Sequence, residues 1–152
     1  MQFTIVSILV PIVLFFSLPR VLGSKKYTSL LCVACVLFAV SWYVPSPDIY
    51  GMQTSFMTHF FGGGVFCGLL GLYLKLVKSW QKKWYIELVA LLAFVSSLGV
   101  LNELFEVLLW TVDLMPQGLA DTSWDLVANT AGALTCFGGY KVVQWLRSAW
   151  TK

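Results

Sequence analysis

Long apolar runs separated by short polar breaks dominate the chain. The first run covers about residues 2–22 and contains Pro11 and Pro19, which kink or end a helix. The second covers about 28–44 and stops at Pro45-Ser46-Pro47-Asp48, after which comes a polar loop with Gly51 and Gln53. The third covers about 58–77 and opens with His59. The fourth, about 84–112, is the longest of these and carries Asn102, Glu103 and Glu106 in its second half. The fifth covers about 123–150, after a loop with Asp113, Pro116, Gly118 and Asp121. Runs of this length with few charges predict membrane-spanning helices, because about 20 apolar residues cover the hydrocarbon of a bilayer. The expectation is an all-α, polytopic membrane protein, with residues 1–152 forming a single transmembrane domain of five helices. Residues 104–116 also suit a segment lying flat at the interface.

Charge sharpens this picture by its placement. Arg20, Lys25 and Lys26 follow the first run; Lys75, Lys78, Lys82 and Lys83 surround the end of the third; Lys141, Arg147 and Lys152 close the fifth. They account for all ten basic residues, and five spans put all three groups on one side. The other side holds Asp48, Asp113 and Asp121 without Lys or Arg. The positive-inside rule then predicts an N-terminus outside and a C-terminus in the cytoplasm. A secretory signal has positive charge before its apolar stretch; here the charge follows it, which predicts a retained first helix. The localisation that follows is a plasma membrane, bacterial or archaeal.

Composition agrees: 59% of residues are hydrophobic and 11% charged, and the mean hydropathy is +0.81, outside the range of an ordinary soluble domain. Trp42, Tyr43, Trp80, Trp84, Tyr85, Trp110, Trp124, Trp145 and Trp150 fall mostly near run ends, as an interfacial aromatic belt does. There is no basic patch apart from the flanking lysines, so nucleic acid is not an expected partner, whereas membrane lipid is. Cys32 and Cys35 form a C-x-x-C, but within an apolar run where the thiolate is disfavoured; packing is the better reading. Glycines of the third run (62–64, 68, 71) and small residues of the fifth (Ala128, Ala131, Gly132, Ala133, Gly138, Gly139) predict close helix approach, with these two helices central.

The candidate chemistry lies in the polar residues inside apolar runs. Asp121, Asp125 and Asn129 recur every four residues and form one helical stripe. Ser96, Gly99, Glu103, Glu106 and Trp110 follow the rhythm of one helix face. Glu103 lies roughly 28 Å along its helix from Trp84, close to the outer boundary of ~30 Å of hydrocarbon. His59, Asn102, Glu103, Glu106, Asp121, Asp125 and Asn129 therefore share an outer depth where the only basic partner is His59. Buried carboxylates without partners must share protons, bind a cation or reach water.

Four readings fit such a cluster. His59, Glu103, Glu106 and Asp125 are candidate ligands of a divalent metal ion, one imidazole with several carboxylates suiting a hard or borderline cation. Alternatively Glu103, Asp125, His59 and Glu106 act as catalytic acids and bases without metal, one carboxyl kept protonated beside an ionised neighbour. In a third reading the cluster binds a ligand without chemistry. In a fourth it is a polar lock between helices, with Asp121 or Ser123 capping the last one. Intramembrane ionisable residues are functional by default, which favours a site over a lock. Asn129, Asp121 and Asn102 are the candidate substrate-binding residues. Glu87, one turn after Trp84, is expected to meet Lys82, Lys83 or headgroups. The inner halves offer little beyond Ser96 and Ser97, which disfavours transport.

Thr58-His59-Phe60, Glu103-Leu104-Phe105-Glu106 and Asp125-Leu-Val-Ala-Asn129-Thr-Ala-Gly132-Ala133 together resemble the VanZ-like family, small polytopic membrane proteins linked to glycopeptide (teicoplanin) resistance. That family's pattern is His-Phe opening one helix, Glu-x-x-Gln ending the next and Asp-x-x-x-Asn-x-x-Gly-Ala in the last. Here Glu106 replaces the Gln, Phe56 and Met57 stand where Lys is common, and Pro116-Gln117-Gly118 follows without the usual Arg. The resemblance spans roughly residues 56–140 and implies an amphipathic envelope compound as ligand, a lipid headgroup, a lipid-linked precursor or a glycopeptide-type molecule. It leaves open an enzyme, such as a metal-dependent hydrolase or transferase, and a non-enzymatic accessory or resistance protein.

Overall fold

In the computed structural model, which describes residues 2–111 and 119–150, the chain is helical apart from one short hairpin. The helices are α1 (Gln2–Val21), α2 (Thr28–Ser41), α3 (Phe56–Val77), α4 (Trp84–Thr111) and α5 (Leu119–Trp150). Two strands, β1 (Asp48–Ile49) and β2 (Met52–Gln53), pair antiparallel with Asp48 opposite Gln53. The expected five-helix order holds, with two differences. The second helix ends at Ser41 instead of residue 44, and the fifth starts at Leu119, ahead of residue 123. The loop expected after Pro47 is a hairpin whose Tyr50 and Gly51 both have positive φ (52° and 77°), as a tight primed turn requires.

Helix ends follow local chemistry. At Gly23 (φ 64°) the Ser24 amide donates to the Pro19 carbonyl and the Gly23 amide to Arg20, closing α1 with a left-handed cap. The same pattern closes α3 at Ser79 (φ 51°), where Trp80 N–H reaches Lys75 O at 2.9 Å.

Helix α3 is central, touching α2, α4 and α5, while α1 packs on α2. The apolar core joins Leu31, Ala34 and Cys35 of α2, Phe66, Cys67, Leu70 and Tyr73 of α3, Val95 of α4 and Ala133 of α5. Glycine makes this closeness feasible. A Cβ on Gly64 would fall against the Asn129 carbonyl and 2.7 Å from Gly132 Cα, so α3 and α5 touch backbone to backbone. Gly138 and Gly139, further along α5, face open space and take no part in that approach.

Among the described residues, two helices are long and apolar enough to cross a membrane: Phe56–Val77 and Trp84–Leu108. Only 17% of the most apolar stretch of the latter is buried. Leu101, Leu104, Phe105 and Leu108 point outward from it. The core helix of a soluble protein would be mostly buried, and this one is not.

The four cysteines are free thiols, Cys35 and Cys67 buried. Glu87 departs from expectation. It pairs with Lys75 (Oε1, 2.7 Å) and Lys141 (Oε2, 2.8 Å), cations of α3 and α5, instead of Lys82 or Lys83. Lys75 and Lys141 face inward between helices, whereas Lys82 and Lys83 lie exposed just before α4.

Candidate functional site

The polar cluster sits at the end of the bundle opposite the Glu87 ion pairs, where α3 and α5 begin and α4 approaches its end. Asp125 is 2% exposed, two turns into α5. Its Oδ2 lies 3.2 Å from His59 Nε2, and its Oδ1 accepts a 2.6 Å hydrogen bond from Ser55 Oγ. Glu103 of α4 is also buried, and among the described residues neither of its carboxylate oxygens has a hydrogen-bond partner. His59, Glu103 and Asp125 each offer a ligand atom, and these atoms lie within 4.8 Å of one another.

Local backbone geometry places them. From His59 to Val65 helix α3 widens into a π-helical stretch, His-Phe-Phe-Gly-Gly-Gly-Val. Such wide turns occur often at functional sites because they re-aim side chains relative to a regular helix. Here His59 stands at the start of the widened stretch and three glycines follow. The glycines leave room for Asn129, one turn below Asp125. A Cβ on Gly63 would fall on Asn129 Oδ1, and one on Gly99 would lie 3.1 Å from its Nδ2. The amide is thus held between α3 and α4, buried, with its Oδ1 lacking a hydrogen-bond partner.

The hairpin is tied to the same end. Ser46 Oγ accepts from the Met57 amide at 2.9 Å, and Thr54 Oγ1 donates to Pro47 O at 2.8 Å. Tyr50 and Phe56 both contact the Trp124 ring, which precedes Asp125.

Of the sequence-nominated residues, the structure brings His59, Glu103 and Asp125 together, with Asn129 directly beneath. Glu106 and Asn102 stand at the border of this group: Asn102 Nδ2 donates to Glu106 Oε1 at 2.8 Å, Asn102 is exposed, and Glu106 is half-buried and close enough to interact electrostatically with Glu103, His59 and Asp125. Glu106 does not supply one of the three grouped ligand atoms. The Asp121 side chain lies outside the described residues. Ser55 was not nominated. Its position four residues before His59, one turn along a helix, was the available signal.

Chemically, one imidazole and two carboxylates form a facial set for a divalent ion, with coordination positions left over. In a facial or tetrahedral set with metal–ligand bonds of about 2.0–2.2 Å, the donor atoms lie roughly 2.8–3.6 Å apart. The three atoms here, within 4.8 Å of one another, would have to draw in by about 1–2 Å to close on an ion. The Ser55 bond occupies one oxygen of Asp125 and aims the other at His59, as an outer-shell partner does.

Comparison with known proteins yields no matching family model, no matching curated protein and no matching solved structure.

Proposed function

We propose that this chain is an integral membrane protein whose His59, Glu103 and Asp125 hold a divalent metal ion at the extracytoplasmic end of a five-helix bundle. There the site acts on the head of an amphipathic envelope compound, as a hydrolase or transferase. The observation that carries this reading is Glu103: both carboxylate oxygens are buried and unpartnered, within reach of a histidine and a second carboxylate. A buried carboxylate lacking hydrogen bonds costs several kcal/mol unless a cation or a proton neutralises it, roughly as for any desolvated ion.

A metal held by three protein groups keeps a position for water and lowers that water's pKa, giving a nucleophile for a phosphoryl or acyl centre. Asn129 Oδ1, buried and unpartnered, is the group that orients a hydrogen-bond donor of the bound water or substrate. Membrane placement is supported by the two long apolar helices, by the outward aliphatic side chains of α4 and by segregation of the lysines from the site. The resemblance of residues 58–60, 103–106 and 125–133 to the VanZ-like pattern supports a lipid headgroup, lipid-linked precursor or glycopeptide-type molecule as the ligand.

A second reading has its own support. The Ser55–Asp125–His59 chain of contacts ties α3 to α5 by itself, as a polar lock in an accessory protein would. Metal analysis of the purified full-length chain separates the two. The metal reading expects one divalent ion per chain, lost in Glu103→Gln while the helical content stays. Wild-type protein that takes up no zinc, manganese or iron after dialysis against each would leave the lock.

A further inference from the structure

At the other end of the bundle a cavity of about 500 Å³ opens between α3, α4 and α5. It exists because small residues leave space where large ones would fill it. Gly68, Gly71 and Ala90 line it, and a Cβ on Gly71 would meet only Leu91, at 3.4 Å. Most of the lining is apolar, Leu91, Phe94 and Phe137 among others. Its volume lies within the ~300–1,000 Å³ of ligand pockets. Apolar cavities do not hold water well, so the natural occupant is apolar.

The mouth has the opposite character. Lys75, Lys78, Trp80, Glu87 and Tyr140 line it. Glu87 is shared between Lys75 and Lys141, and Lys75 also donates to Tyr140 OH at 3.0 Å. Lys78 makes no ion pair among the described residues. Lys75, Lys78 and the neighbouring Lys141 outnumber the single carboxylate of Glu87, leaving this end of the cavity positive. Trp80 beside them is the residue type that settles at headgroup depth.

We propose that this cavity is a second site, separate from the His59–Glu103–Asp125 cluster, which holds one acyl chain of an anionic phospholipid, its phosphate against Lys78 and Lys75. The mainly apolar lining together with the excess of lysines matches the two halves of such a lipid, and favours a net negative headgroup over a zwitterionic one. Basic pockets between membrane helices are known to select anionic headgroups in this manner. The proposal rests on the membrane placement given above and not on the metal.

Native mass spectrometry of the full chain in mild detergent tests it, with phosphatidylglycerol or phosphatidylcholine of equal chain length added. One phosphatidylglycerol is expected to stay bound about fivefold more tightly than phosphatidylcholine, from Lys78, the lining lysine that makes no ion pair among the described residues. Ala90→Phe, which fills the cleft, is expected to abolish that retention, and Lys78→Gln to weaken it about fivefold. Lys78 lies exposed at the end of α3, so its replacement leaves folding intact and keeps the test valid if Ala90→Phe misfolds. Equal retention of the two lipids, or undiminished retention in both variants, overturns the proposal while leaving membrane placement standing. A dimer that Ala90→Phe dissociates would make a second copy the occupant and likewise overturn it. Failure of the expressed chain to enter the membrane fraction at all would remove both readings together.

Discussion

Glu103 is the residue on which the proposed chemistry turns, because among the described residues no hydrogen bond repays its burial. Glu103→Gln removes the charge but keeps the shape. In metal-stripped protein it is expected to raise stability by about 1 kcal/mol or more, because the amide stays unsatisfied but the buried charge is gone. In metal-loaded protein it should lose the extra stabilisation that the ion confers. Paired thermal melts with and without chelator read both effects, and a Glu103→Gln variant that still gains from metal would exclude Glu103 as a ligand. Ser55→Ala tests the support of Asp125. Loss of a hydrogen bond to a charged acceptor costs about 1.5–3 kcal/mol, and the freed Asp125 should bind metal less tightly.

Among the elements, the contact of α3 with α5 decides whether the site exists. Gly64→Ala places a methyl against the backbone of Asn129 and Gly132, atoms that no rotamer change can move. The two helices must separate, at about 3 kcal/mol or more for overpacking of this kind. Gly138→Ala on the same helix meets nothing, so it should be neutral or stabilise by about 0.5–1 kcal/mol through helix propensity. Denaturation in detergent of both variants checks the contrast; equal effects would mean that α3 and α5 do not approach as closely as described. The π-helical stretch from His59 to Val65 belongs to this scale too. It puts the glycines opposite Asn129 and Gly132 while the preceding His59 faces Asp125.

For the molecule as a whole, polarity is divided between two ends. One carries the carboxylates and His59, the other the lysines around Glu87. Glu87→Gln should leave Lys75 and Lys141 without their shared anion and destabilise the bundle by about 1–3 kcal/mol, with no effect on metal binding some helix turns away. The proposed orientation is checked by reporters fused to each terminus. An N-terminus outside and a C-terminus inside are expected, and a C-terminus found outside would overturn the arrangement. Helix α2, 14 residues long, reaches only about 21 Å, less than the ~30 Å of hydrocarbon. The hairpin and the loop from Trp42 extend this side of the bundle.

By itself the sequence determined the helical class, the order of the five helices and the positions of most of their ends. Apolar run length, Pro and Gly carry that information locally, residue by residue. It also marked His59, Glu103 and Asp125 as belonging to one layer, since charge inside apolar runs stands out without any knowledge of packing. The tertiary structure alone decided which members of that layer meet. Helical spacing allowed Glu103 and Glu106 to share a face, but only the rotation of α4 against α3 and α5 turns Glu103 inward and leaves Glu106 with Asn102. The partners of Glu87, the pinching of Asn129 between Gly63 and Gly99, and the cavity above Gly71 likewise depend on side chains from separate helices. Such contacts are set by how helices rotate and approach, and no local pattern encodes rotation.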